Sequence, residues 1–215
     1  MGAQLDVPVL AGALVRLEPL SSAHAEDLAE AAGAERDARE FTWIPHGIDE
    51  VREYIGVQLG RAESGELIPF AQIRLADARA VGTTAFFNLR SRPEESVPYA
   101  VEIGWTWLGP AARGTGINAE AKLLLLTYAF ETWRVARVDL KTDARNERSR
   151  RAIEGLGAQF EGVLRSWQPS LVPGEESLMR DAALFSLLAD EWPEAKVTLR
   201  ARLDRHGAEP RTPGR

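Results

Sequence analysis

Between Tyr99 and Thr142 a strand, a glycine-bearing turn, a helix and a second strand succeed one another, and this run constrains the fold more than any other part of the chain. Tyr99–Leu108 reads as a strand that Gly109-Pro110 stops. The turn Arg113-Gly114-Thr115-Gly116 then leads into a helix over about Asn118–Trp133, where Ala119, Leu123, Leu126, Phe130 and Trp133 step by four, three, four and three and so share one face. In Arg137–Thr142 the charged Arg137, Asp139 and Lys141 alternate with Val138 and Leu140, the two-residue period of a strand. A helix joining two strands of one sheet is a crossover, so these two strands should run parallel.

The remaining elements are read in the same way. Leu14–Leu20 is predicted as a first strand, and Ser21 and Ser22 offer caps for a helix over about His24–Ala34. A loop from Phe41 to Gly47 precedes a helix starting near Asp49, with Val51, Tyr54, Ile55 and Leu59 at helical spacing. Pro69–Leu75 and Ala80–Leu89 form a hairpin through Ala76–Arg79. Asn146–Leu156 reads as a helix closed by Gly157 in the left-handed conformation. Strands near Phe160–Trp167 and Leu178–Leu187 follow, then a helix over Pro193–Leu203 with Val197 and Leu199 as its apolar positions. The expected class is α/β (α+β), a mixed sheet of about seven strands flanked by helices. It forms a single domain over residues 1–205, with a disordered tail over 206–215.

Composition excludes several chemistries. The chain has 215 residues, enough for one domain with a substantial core, and no cysteine, so disulfides, thiolate metal sites and a cysteine nucleophile are absent. A formal net charge of −6 argues against nucleic acid as a partner. No stretch approaches the roughly 18 apolar residues of a membrane span, and the first residues lack a signal peptide's pattern, so the expected location is the cytoplasm.

The turn Arg113–Gly116 stands between a strand end and a helix start. Free N–H groups and the helix dipole gather there, glycines allow close approach, and Arg113 and Thr115 add donors, which together make a plausible phosphate cradle. The lysine of a P-loop is missing. A dinucleotide fingerprint is incomplete, because Ala119 stands where its last glycine belongs, although Asp139 lies near the expected distance.

Four segments in order resemble the GNAT superfamily of acetyltransferases, in particular the RimJ/RimL-type branch of ribosomal-protein N-acetyltransferases. They are Glu102-Ile103-Gly104 with Trp107-Leu108 and Pro110; Arg113 with Gly116 and Asn118; Asn146 and Ser149 with Gly155–Ala158 and Glu161–Arg165; and Arg180-Asp181 with Phe185-Ser186. Asn118 departs from the family's Gly or Ala, Gly157-Ala158 from its Gly-Phe, and Trp105-Thr106-Trp107 carries one extra residue, as a bulge would. The resemblance implies a splayed mixed sheet, acetyl-CoA as the cofactor, and transfer of its acetyl group to a primary amine by direct attack in a ternary complex.

It also implies roles. Arg113, Gly114, Thr115, Gly116, Ile117 and Asn118 would contact the pyrophosphate, or Asn118 would simply cap the helix. Trp107 and Leu108 would offer strand backbone to the pantetheine and to the developing oxyanion. Asn146 would hold the pantetheine arm and Ser149 would protonate the leaving thiolate, or the two would be a cap and an ordinary first-turn residue. Glu102, a carboxylate between Val101 and Ile103, is the candidate general base or else a structural acid. Trp43, His46, Glu102 and Trp167 are candidate acceptor contacts, with plain packing as the alternative for the aromatic and histidine side chains. The acceptor, a peptide N-terminus or a small amine, stays open. The hydrophobic late strands suggest a homodimer. A non-catalytic acyl-CoA-binding regulatory module and, more distantly, a nucleotide-dependent oxidoreductase are the competing readings.

Overall fold

The computed structural model describes residues 5–33, 41–95 and 97–208. Its elements are β1 (Leu10–Ala11), β2 (Val15–Pro19), α1 (Ala25–Ala32), α2 (Gly47–Glu63), β3 (Leu67–Arg74), β4 (Arg79–Arg90), β5 (Ala100–Leu108), α3 (Ile117–Thr127), β6 (Arg137–Asp143), α4 (Glu147–Glu154), β7 (Gln159–Pro169), β8 (Met179–Leu188) and α5 (Trp192–Ala208). The eight strands form one sheet in the order β1-β2-β3-β4-β5-β6-β8-β7. The strand beyond the expected seven is β1, two residues long and too short to show a period.

Every neighbouring pair is antiparallel except β5 and β6, which the crossover through α3 sets parallel. That parallel pairing is brief. Ala100 faces Arg137, Val101 faces Val138 and Glu102 faces Asp139, and there it stops. Beyond Glu102, β5 continues to Leu108 against β4, while β6 continues to Asp143 against β8. The sheet is therefore open between the C-terminal halves of these two strands.

Each face of the sheet carries its own core. On one, α3 and α5 cover Phe86, Val101, Ile103, Val138 and Phe185. On the other, α1 and α2 bring Leu28, Val51 and Ile55 against Ile73 and Trp107. Burying each of the aliphatic and phenylalanine side chains among them is worth roughly 1.5–3 kcal/mol. Alternation places Glu102, between Val101 and Ile103, on the α1–α2 face.

Two helices pack differently from their patterns. The deepest stripe of the crossover helix is Ile117, Ala121, Leu125 and Ala129, because small residues let it approach the sheet. A π-helical turn over Tyr128–Thr132 then adds a residue and swings Phe130 and Trp133 inward. In α5 the buried residues are Trp192, Ala195 and Leu199, whereas Val197 is 69% exposed. This helix runs to Ala208, past His206 where a disordered tail was expected. The rest of that tail, like Ala34 at the end of the first predicted helix, lies outside the described residues. Glu120 fastens α3 to the β1–β2 turn by accepting the backbone N–H groups of Ala13, Leu14 and Val15 at 2.6–2.9 Å.

Candidate active site

Because β5 and β6 are parallel, the segments that follow them leave the sheet at the same end. Arg113–Gly116 leads from β5 into α3, and Asn146 leads from β6 into α4. The opening between the strands lies between these two helix N-termini, the place where open α/β sheets take their ligands.

On the β5 side, Pro110–Ala112 forms a single 3₁₀ turn. Arg113 Nε donates to the Leu108 carbonyl at 3.0 Å, and the Thr115 hydroxyl donates to the Ala112 carbonyl at 2.6 Å. Gly114 (φ +72°) and Gly116 (φ +86°) adopt the left-handed conformation that side chains resist. Gly116 is the N-cap of α3, so no side chain satisfies the helix's first amides. Asn118 is thus not the cap. It lies inside the first turn, and its buried Oδ1 has no hydrogen-bond partner among the described residues. Uncapped amides and an orphaned buried amide oxygen suit a polyanion that also carries N–H or O–H donors, as a nucleotide-linked thioester does.

On the β6 side, Asn146 is buried and caps α4, its Oδ1 accepting the Ser149 N–H at 3.0 Å. The cap alternative is therefore real, and the Asn146 amide NH₂ is what remains for a ligand. Ser149 is half-buried in the first turn of that helix.

Glu102 ends the parallel pairing on the α1–α2 face. It is only 3% exposed and is not a bare acid: Asn88 Nδ2 donates to it at 2.8 Å and the Lys141 ammonium lies at 3.0 Å. Lys141 Nζ also sits 4.6 Å from the centre of the half-exposed Trp167 ring. Burial raises the Glu102 pKa from its ordinary value, and Lys141 and Asn88 oppose that rise without cancelling it. The structure thus joins Glu102 and Trp167 through a residue the sequence reading had passed over.

Trp43 reaches this face by another route. Its ring lies 6.0 Å from Tyr54, whose ring is 6.5 Å from Trp107 and whose hydroxyl hydrogen-bonds Thr83 at 2.8 Å. The Trp107 and Leu108 side chains are buried. His46 points elsewhere, since its Nδ1 meets the Gly33 carbonyl at 3.0 Å and its backbone N–H donates to Glu50. It holds the loop before α2 onto the end of α1 and is not brought to Glu102.

The extra residue of β5 is a β-bulge, with Trp105 and Thr106 together facing Thr84 and Trp105 at φ +49°. Beneath it, from the α3 side, lies Lys122, 5% exposed, its ammonium donating to Thr106 Oγ1 at 2.6 Å and Thr84 Oγ1 at 3.0 Å. Burial pushes its pKa down to about 7. Neither Lys122 nor Asn88 stands out in the sequence. Lys141 could have been found, because a register pairing Glu102 with Asp139 puts the next residue of the charged face within reach.

Residues 15–159 match the model of the acetyltransferase (GNAT) domain family. The Bacillus subtilis (strain 168) protein named "Putative ribosomal N-acetyltransferase YdaF" is 31% identical over 152 residues, 71% of this chain and 76% of its own. A solved GCN5-related N-acetyltransferase from Brucella melitensis is 29% identical with a TM-score of 0.79, covering 93% of this chain and 87% of its own. Mycobacterium smegmatis RimJ, solved in complex with CoA-disulfide, shares the fold at a TM-score of 0.68 and 22% identity, over 90% of this chain and 91% of its own. The chain belongs to the GNAT family of acetyl-CoA-dependent acetyltransferases. No helix among the described residues is long and apolar enough to cross a membrane.

Proposed function

We propose that this protein transfers the acetyl group of acetyl-CoA to a primary amine by direct attack in a ternary complex. The observation that carries the reading is the sheet opening past Glu102 and Asp139, with the uncapped N-terminus of α3 at one end and a buried carboxylate on the α1–α2 face. Acetyl-CoA supplies the activated acyl group. The amides of Ile117 and its neighbours, with Arg113 and Thr115, would hold the pyrophosphate, and the Asn118 amide would find its missing partner there. The Asn146 NH₂ would hold the pantetheine arm. Ser149, in the first turn of α4, would return a proton to the departing thiolate. The backbone of β5 beside the bulge, where no strand covers it, would face the thioester carbonyl.

Glu102 would act through water on the attacking amine. The demand on it depends on the acceptor: at pH 7 a lysine amine costs about 4–5 kcal/mol to deprotonate and an α-amine about 1 kcal/mol. A carboxylate, even one whose pKa burial raises, is far from matching a lysine ammonium, and Lys141 already engages one of its oxygens, which favours an α-amine. The name of the YdaF relative, a putative ribosomal N-acetyltransferase, supports an amine acceptor. The paired state of Glu102 is also what supports the competing reading, a non-catalytic acyl-CoA-binding module. Release of free thiol from acetyl-CoA across a panel of peptides and small amines, alongside calorimetric acetyl-CoA binding, separates the two. Thiol release with N-terminal peptides is expected. Tight binding without release from any acceptor would leave only the binding module.

A further inference from the structure

We propose that Lys122 is a positioning residue for acetyl transfer, fixing from beneath the β5 bulge the stretch of backbone against which the thioester must seat. The inference rests on the acetyl-transfer reading above and concerns a residue that reading does not use. The Lys122 ammonium bonds one hydroxyl on each strand flanking the bulge, Thr84 on β4 and Thr106 on β5. Both hydroxyls lie within 3.4 Å of the Gly104 carbonyl, so the amine, the two threonines and the bulge backbone form one connected network. Trp105 is held within it at a φ of +49°, a conformation that persists in a non-glycine residue only where its surroundings enforce it. The bulge begins three residues after the last β5–β6 pair, at the mouth of the opening.

Stability alone does not account for the amine. No carboxylate bonds it among the described residues, and the two threonine hydroxyls lie 2.8 Å apart and can satisfy each other without it. A methionine of similar length would fill the site with no ammonium to desolvate. Lys122 also stands on α3, whose first turn carries the proposed anion cradle, so its two hydrogen bonds tie that helix to the bulge.

The test uses the full chain with Lys122→Met and Thr106→Val, singly and together. Expected is a fall in kcat of about 10–100-fold at saturating acetyl-CoA, the scale of an ångström's misplacement at a reacting centre. CoA affinity and the thermal midpoint of Lys122→Met should not fall, and the double variant should be no worse than the poorer single one. A second readout needs no acceptor: acetyl-CoA should protect the Gly104–Trp107 amides from hydrogen exchange beyond what CoA does, and Lys122→Met should lose that difference. A kcat within about two-fold of wild type, or a loss that tracks lowered stability or CoA affinity, overturns the proposal. A wild-type protein that binds acetyl-CoA but acetylates no amine removes the enzyme reading alone, and the exchange pattern then decides about Lys122.

Discussion

Glu102 and Lys141 show how an isolated-looking residue acquires a partner only through register. Glu102 was visible as an acid inside an apolar strand, whereas Lys141 read as one of three outward charges, because a two-residue period gives a face and not what lies across from it. Asn88 and Lys122 had no signal, since an amide at a bulge and a lysine in a leucine-rich helix are ordinary until the fold brings them to a strand. The ion pair also has a pH signature. The Glu102 pKa is raised by burial, so the stability it contributes is complete below its ordinary value of 4.5 and is lost as pH rises through the folded value. Lys141 opposes that loss. Lys141→Met should therefore leave stability near wild type at pH 4.5 and lower it by about 3 kcal/mol at pH 7, the scale of breaking a buried pair. Urea denaturation at the two pH values checks this, and an equal loss at both would mean the ammonium does not stabilise the buried carboxylate.

Among the elements, the turn into the crossover helix is where sequence and structure agree most usefully. The glycine turn, the crossover helix and the one-residue excess in β5 were all legible, because glycines, helical periodicity and strand length are local signals. The identity of the cap was not: Asn118 is a good cap by chemistry, yet Gly116 takes that position with a left-handed backbone. The π turn and the alanine stripe of the crossover helix were also hidden, since close approach is made by residues that carry little hydrophobicity. The two glycines now separate as tests. A Cβ at Gly116 would press on Leu14 at 3.0 Å, whereas at Gly114 it meets open space. Gly114→Val should therefore cost only about 1–2 kcal/mol of folding stability through its φ, while placing a branched side chain beside the proposed anion site. Acetyl-CoA affinity measured by calorimetry should fall at least about ten-fold with the circular dichroism spectrum unchanged. Undiminished affinity would place the pyrophosphate elsewhere.

At the scale of the molecule, the mixed sheet and its single parallel junction follow from element order and loop length, which is why the architecture could be anticipated while the site's internal contacts could not. The arrangement has a simple division of labour. The α3–α5 core underlies both β5 and β6, while the α1–α2 core packs against the β5 side alone. The brief β5–β6 pairing has a further meaning for the chain as a connected string. Every strand before Arg134 lies on one side of the junction and every strand after it on the other, and three facing residue pairs are the whole of their shared sheet. The polypeptide is two successive half-sheets joined by one short seam, with α3 of the first lying against α5 of the second. Severed between residues 134 and 135, the halves should find each other when produced together and rebuild an acetyl-CoA-binding particle. Two fragments that precipitate even when co-expressed would show that the seam cannot be stitched without a covalent thread.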